Sequence, residues 1–219
     1  MRIAGYQPNS FVDYPGNIAA VVFVGGCNMR CWYCHNAEIL ETKEFLNDDA
    51  ILEKVGNNPL LDGVVISGGE PTLQGDLFDF ARKVKALGLE VKLDTNGLRP
   101  AVLEDGVEQG LFDYVAMDIK APLDKGFKVT PTMMWDAERL RESIKYLMTQ
   151  DKIPYEFRMT VIPQFTLEDV EGAAKEIAGA RIFYLQPYVD HGKGFRPPSG
   201  EFLQAAKEAA DKYVPTEIR

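Results

Sequence analysis

Six short apolar segments, each followed by an amphipathic stretch of helical length, restrict the fold of this chain more than any other feature. Ile18 to Val24 is a continuous run rich in β-branched residues, the pattern of a parallel strand buried on both faces. Further segments lie at Val64 to Ser67, Glu90 to Asp94, Tyr114 to Asp118, Tyr155 to Ile162 and Arg181 to Gln186. Between them, Leu77, Phe80, Ala81, Val84 and Leu87 recur at helical spacing, as do Leu140, Ile144 and Leu147, and near the end Phe202, Ala205, Ala206 and Ala209. Asn47 to Asp49 and Thr166 to Asp169 carry helix-start signatures. This alternation calls for an α/β fold, a parallel sheet with helices outside it. A closed barrel of eight units takes about 250 residues. Six units in 219 residues therefore predict an incomplete, laterally open (β/α)6 barrel. A doubly wound open sheet is the competing topology. No linker or low-complexity segment interrupts the chain, so residues 1–219 read as a single domain.

Ligands of either topology gather beyond the C-terminal ends of the strands, and the polar motifs fall there. Cys27, Cys31 and Cys34, the only cysteines, follow the first strand as C-x3-C-x2-C. Four thiolates close a metal or cluster site, whereas three leave one position open. Ser67 to Pro71 follow the second strand, Asp94 to Gly97 the third, and Asp118 to Lys120 the fourth. Arg158 lies within the fifth, and Leu185 to Pro187 end the sixth. A Cys3His zinc site completed by His35 or His191 is a rival, although structural zinc usually draws its ligands in pairs. Taken singly, the glycine pair and the Asp94 to Gly97 turn are ordinary loops. Asp118 with Lys120 is an ordinary surface ion pair, Trp32 a packing or partner-contact residue, and His35 either a support for the ligands or structural. Clustered thiols argue against a disulfide scaffold. Net charge is −9, from 33 acidic and 24 basic residues, which disfavours nucleic-acid and anionic-membrane partners. Ile18 to Val24 is too short to cross a bilayer and has no basic leader before it, so the expected location is cytoplasmic.

The run from Cys27 to Cys34 resembles the CxxxCxφC signature of radical S-adenosylmethionine (radical SAM) enzymes, with Tyr33 as the aromatic. Gly68, Gly69 and Glu70 look like that family's GGE motif, and the resemblance spans essentially the whole chain. Ser10 to Gly16, Cys34 to Asn36, Asp94 to Gly97 and Asp118 with Lys120 narrow it to the glycyl-radical-enzyme activases. Within these the chain is most similar to anaerobic ribonucleoside-triphosphate reductase activating proteins. It departs from pyruvate formate-lyase activases at the sixth strand, where Leu185, Gln186, Pro187, Tyr188 and Val189 replace an LPYH-like segment.

The resemblance implies a radical SAM barrel with a 4Fe-4S cluster on Cys27, Cys31 and Cys34. The iron without a thiolate takes the amino and carboxylate groups of S-adenosylmethionine. One electron then breaks a carbon–sulfur bond, giving methionine and a 5′-deoxyadenosyl radical, while the protein orients the cofactors and excludes water and oxygen. By the same resemblance, Glu70 with the Gly68–Gly69 backbone holds the ammonium, and Lys120 or Arg158 meets the carboxylate. Tyr33 and Asn36 contact adenine, and Asn96 and Leu185 complete the cofactor site. Asp94 and Asp118 should repel one another unless a cation lies between them. A monovalent cation held by Asp94, Thr95, Asp118 and the Ala116 carbonyl is one reading, and ribose binding by Asp94 is another.

The implied reaction is removal of a hydrogen from a glycine Cα of a partner, a glycyl radical enzyme, with anaerobic ribonucleotide reductase the expected one. It needs no acid–base residue, so no side chain is nominated as catalytic. With no spare cysteines for an accessory cluster, the electron donor is external, such as flavodoxin or ferredoxin. A small-molecule, RNA or peptide substrate is the second reading. A non-catalytic cluster protein with a fourth ligand such as His35 is the third.

Overall fold

All six apolar segments form strands, and each strand is followed by a helix. The computed structural model describes residues 1–219 except His191 and the side chain of Thr132. His191, one of the two candidate zinc ligands, therefore lies outside the described residues. Strands β2 (Ala19–Val24), β3 (Gly63–Gly68), β4 (Glu90–Thr95), β5 (Tyr114–Asp118), β6 (Tyr155–Val161) and β7 (Phe183–Pro187) correspond to the expected set. Two strands are added at the edges: β1 (Ile3–Ser10), antiparallel to β2, and β8 (Thr216–Ile218), parallel to β7. The helices are α1 (Ala37–Leu40), α2 (Asp48–Gly56), α3 (Leu77–Ala86), α4 (Pro100–Glu108), α5 (Ala137–Thr149), α6 (Leu167–Glu176) and α7 (Gly200–Ala210).

Strand order runs β1 to β8 without a reversal. A doubly wound sheet reverses its order partway, so that alternative is excluded. The result is an unclosed, mostly parallel sheet with β1 and β8 as its edges.

Strand side chains alternate between two faces. Val22, Ile66, Leu93, Met117, Phe157 and Leu185 lie on one, packed in a single core with Leu77, Phe80 and Val84 of α3 and Leu140, Ile144 and Leu147 of α5. Leu87 leaves the expected stripe, because it is the C-cap of α3 and is 44% exposed. In α7 the buried face is Leu203, Ala206, Ala209 and Ala210, so Ala206 and Ala209 of the expected stripe are buried while Phe202 and Ala205 are half-buried. The inner face carries a small apolar cluster of Tyr14, Ala19, Val21 and Val65 and, beside it, the polar side chains Ser67, Lys92, Asp94, Asp118, Glu156 and Arg158. Its N-terminal end is stoppered by the segment after β1. There the Tyr14 hydroxyl donates to Glu90 at 2.8 Å, Asn17 donates to the same oxygen at 2.7 Å, and the Tyr14 ring lies 5.7 Å from that of Tyr114.

Both anticipated caps form. Asn47 accepts from the Ala50 amide at 2.9 Å, and Thr166 and Asp169 make a reciprocal capping box at the start of α6. Asp169 is also a buried charge, accepting from Lys125 at 2.9 Å and Lys128 at 2.6 Å. Burial pushes its carboxyl up, but these lysines and the Thr166 amide outweigh that and hold it well below the usual carboxylate range. A depressed folded-state pKa contributes stability above the unfolded value of about 3.9, which is lost as pH falls through the folded value. Asp169→Asn should therefore lower the melting temperature at pH 7, and its difference from wild type should shrink as pH falls below about 4. A difference that stays constant from pH 7 to the acid limit would refute the ion-pair account.

A thiol-lined cavity at the C-terminal rim

The motifs converge on one cavity of about 390 Å³ at the C-terminal ends of the strands. Cys27, Cys31 and Cys34 line it together with Tyr33, Asn36, Gly68, Gly69, Glu70, Asp94, Thr95, Asn96, Asp118, Lys120 and Arg158. Leu185 does not. Strand alternation turns its side chain into the helix-facing core, and the cavity is lined from β7 by Gln186 and Pro187.

Main-chain contacts seat the cysteine loop. Trp32 donates from its amide to the Val129 carbonyl at 3.2 Å and from its indole to the Lys128 carbonyl at 3.1 Å. The Arg30 amide donates to the Thr130 hydroxyl at 3.0 Å, while Met29 is buried beneath the loop. Trp32 packs against Tyr33, Tyr188 and Phe195, with ring centroids 5.6, 5.8 and 5.0 Å away, which fits its expected packing role. The β3 loop approaches from the other side through its two glycines. The Gly69 amide donates to the Val24 carbonyl and the Glu70 amide to the Gly26 carbonyl, both at 2.8 Å. Gly68 has φ +104°, and a Cβ on Gly69 would fall 1.9 Å from the Gly26 oxygen, so neither position tolerates a side chain. Asn36 adds a tie to the Gly68 carbonyl at 3.1 Å.

The three thiols share one cavity. No three His, Cys, Asp or Glu side chains among the described residues are placed to hold a single metal ion, yet all three thiols face one space. Burial raises the Cys27 thiol and pushes that of Cys31 up to about 11. The Met29 amide donates to Cys27 Sγ at 3.3 Å and Asn96 Nδ2 approaches it at 3.8 Å, so donors already face that sulfur. The Tyr33 hydroxyl is the other open feature: among the described residues it is a buried polar atom with no hydrogen-bond partner.

Glu70, the expected ammonium acceptor, is tied into the wall of the cavity. It is 1% exposed, and its carboxylate accepts from the Thr72 amide at 3.1 Å, the Thr72 hydroxyl at 2.6 Å, the Thr95 hydroxyl at 2.7 Å and the Asn96 amide at 2.8 Å. Burial raises its pKa while these donors pull it down. The side chain thus joins the β3 and β4 loops at the cavity wall, beside the bare backbone of Gly68 and Gly69.

Between Asp94 and Asp118 stands a cation that the protein itself supplies. Arg158 donates through Nε to Asp118 at 3.0 Å and through a terminal nitrogen to Asp94 at 3.4 Å. Lys120 pairs with the other Asp118 oxygen at 2.9 Å, and Lys92 with the other Asp94 oxygen. Burial pushes both carboxyls up, but Arg158 and the lysines prevail, holding Asp94 below its usual range and Asp118 at about 2. Lys120 and Arg158 are correspondingly held above their ordinary values. Sequence reasoning missed Lys92, Thr160 and Tyr188, and placed Ser67 and Gln186 only within the rim motifs. Counting by twos along each strand from Asp94, Arg158 or Gln186 finds the inward-facing ones, and Ser67 directly precedes the glycine pair.

The sequence profile of the radical SAM superfamily matches residues 21–177. A putative glycyl-radical enzyme activating enzyme of Methanocaldococcus jannaschii is 34% identical over 224 residues, covering 97% of this chain and 92% of that protein. Pyruvate formate-lyase 1-activating enzyme of Escherichia coli K12 is 28% identical, covering 97% of this chain and 96% of that one. In three dimensions, Streptococcus suis SuiB bound to S-adenosylmethionine aligns with a TM-score of 0.64 at 16% identity, covering 89% of this chain and 48% of SuiB. No described helix is long and apolar enough to cross a membrane.

Proposed function

This chain belongs to the radical SAM superfamily, and we propose that within it the chain activates a glycyl radical enzyme, with anaerobic ribonucleotide reductase as the partner. The relatives that span nearly the whole chain are named as glycyl-radical enzyme and pyruvate formate-lyase activating enzymes and support the activase part of the reading, while the reductase as partner rests on the resemblance of Ser10 to Gly16 and Cys34 to Asn36. Residues 1–219 are read as one domain of this family. Cys27, Cys31 and Cys34 would hold a 4Fe-4S cluster, and the cavity they share with Tyr33 and the Gly68–Gly69 backbone would take S-adenosylmethionine. When bound, these groups supply one-electron cleavage of a sulfonium and a radical able to take hydrogen from a glycine Cα.

The chain's own residues do the rest. Lys120 and Arg158 present positive charge to the incoming carboxylate, and Asn36 and Asn96 tie the neighbouring loops to the cysteine loop. An unclosed sheet leaves a side entrance between its edge strands for a flexible glycine loop. An external flavodoxin or ferredoxin supplies the electron. The test is anaerobic reduction of the cluster-loaded protein with S-adenosylmethionine and either anaerobic ribonucleotide reductase or pyruvate formate-lyase. A glycyl doublet in electron paramagnetic resonance with the reductase supports the proposal, and a doublet with the lyase alone moves the partner assignment. Cofactor cleavage with no doublet from either points to the second reading, a small-molecule, RNA or peptide substrate.

A further inference from the structure

Lys92 is one of the largest fully buried side chains among the described residues, 0% exposed on the inner face of β4. Removing an ammonium from water costs several kcal/mol unless it is paired, and an apolar residue of similar length would fill this space without that cost. The ammonium is bonded to Asp94, two residues on along the same face, and lies 5.9 Å from the centre of the Tyr114 ring. Burial pulls its pKa down and the Asp94 charge opposes this.

The alkali-metal reading of Asp94 and Asp118 does not fit this arrangement. Each of their four carboxylate oxygens already faces a nitrogen cation: Lys92 and Arg158 on Asp94, Arg158 and Lys120 on Asp118. Asp94 also accepts from the Ser67 hydroxyl at 3.0 Å. The Thr95 hydroxyl, another of the expected ligands, donates to Glu70 and accepts from the Gly97 amide at 3.1 Å. Charge gives the same answer. Lys92, Arg158 and Lys120 set three positive charges against the two of Asp94 and Asp118, leaving one in excess. Nearby Glu156 is answered separately by Arg219 at 3.2 Å and by the Tyr114 hydroxyl at 2.9 Å. A ligand carboxylate would bring the set to neutrality, whereas a metal cation would meet net repulsion.

We propose that Lys92 is a built-in counter-ion that replaces an exchangeable monovalent cation beside Asp94 and Asp118, so that the carboxylate end of the cofactor binds here without an alkali metal. Lys92 is a positioning residue, acting through Asp94 and Arg158. The proposal rests on the reading of the cavity as an S-adenosylmethionine site. Two measurements on the cluster-loaded protein test it. The first is sodium-23 line broadening in choline buffer, taken as the difference from Asp94→Asn. Wild type should show no saturable difference, and Lys92→Met should gain one. The second is S-adenosylmethionine affinity at constant ionic strength. It should change less than about twofold between choline, sodium and potassium in wild type, and tighten about tenfold with an alkali cation in Lys92→Met. A saturable Asp94-dependent sodium signal in wild type, or a tenfold tightening there, overturns the proposal. Should Lys92→Met fail to fold, the wild-type arms still decide. Should S-adenosylmethionine fail to bind in every salt, the cofactor reading falls, and the sodium titration judges the counter-ion on its own.

Discussion

Gly69→Ala is expected to unseat the β3 loop from the cysteine loop and to strip the protein of its cluster. The added methyl would lie 1.9 Å from the Gly26 carbonyl oxygen and 3.0 Å from that of Val24, both backbone atoms that no rotamer change can move aside. The same two carbonyls receive the Gly69 and Glu70 amides at 2.8 Å. Relief of the clash therefore breaks both bonds and carries Glu70 away from Thr95 and Asn96. Overpacking of this kind costs about 3 kcal/mol, or roughly 6–12 °C in melting temperature for a chain of this size. Iron and sulfide per chain after anaerobic reconstitution should fall severalfold, because Cys27 directly follows Gly26. Gly75→Ala is the control: a methyl there would meet no atom within 4 Å, so stability should stay within about 0.5 kcal/mol and the cluster should load normally. Equal cluster content in both variants would show that the tight contact is not what shapes the thiol site.

How much of this was legible in the sequence depends on which force placed each residue. Continuous apolar runs and helical periodicity report burial directly, which is why six strands and the stripes of α3 and α5 could be read. Strand β1 was not, because Tyr6, Gln7, Pro8 and Asn9 break the apolar pattern, and its neighbour β2 rather than its own composition fixes it. Strand β8 is only three residues long, below the length at which alternation carries a signal. The site was legible where loops carry it, since glycines, cysteines and Asx residues are conspicuous. Side chains on strands were harder. Lys92 looks like an ordinary charge amid Glu90, Val91 and Leu93, and only its parity with Asp94 reveals a buried pair. Leu185, named from resemblance, stands one residue from the inward-facing Gln186, and its side chain packs in the helix-facing core. Pairings between distant segments, such as Asp169 with Lys125 and Lys128, leave no local trace at all.

Glu70→Gln tests whether this carboxylate is a ligand in waiting or the tie between two loops. Its Oε1 accepts from the Thr72 amide, the Thr72 hydroxyl and the Thr95 hydroxyl, while Oε2 accepts from the Asn96 amide. A glutamine must turn its oxygen toward one set and its NH2 toward the other. The hydroxyls can rotate, but main-chain amides cannot, so a donor–donor contact at Thr72 or Asn96 is unavoidable. In a site 1% exposed no water can mediate it. Leaving such a donor unsatisfied costs about 2 kcal/mol, or roughly 4–8 °C in melting temperature. The displacement reaches the cysteine loop because Asn96 donates to Asn28 at 2.8 Å and approaches Cys27 Sγ at 3.8 Å. Cluster retention and S-adenosylmethionine cleavage should both fall by about tenfold or more, in step with the lost stability. A variant of wild-type melting temperature and full cluster content that has lost only S-adenosylmethionine affinity would instead make Glu70 a direct ammonium acceptor.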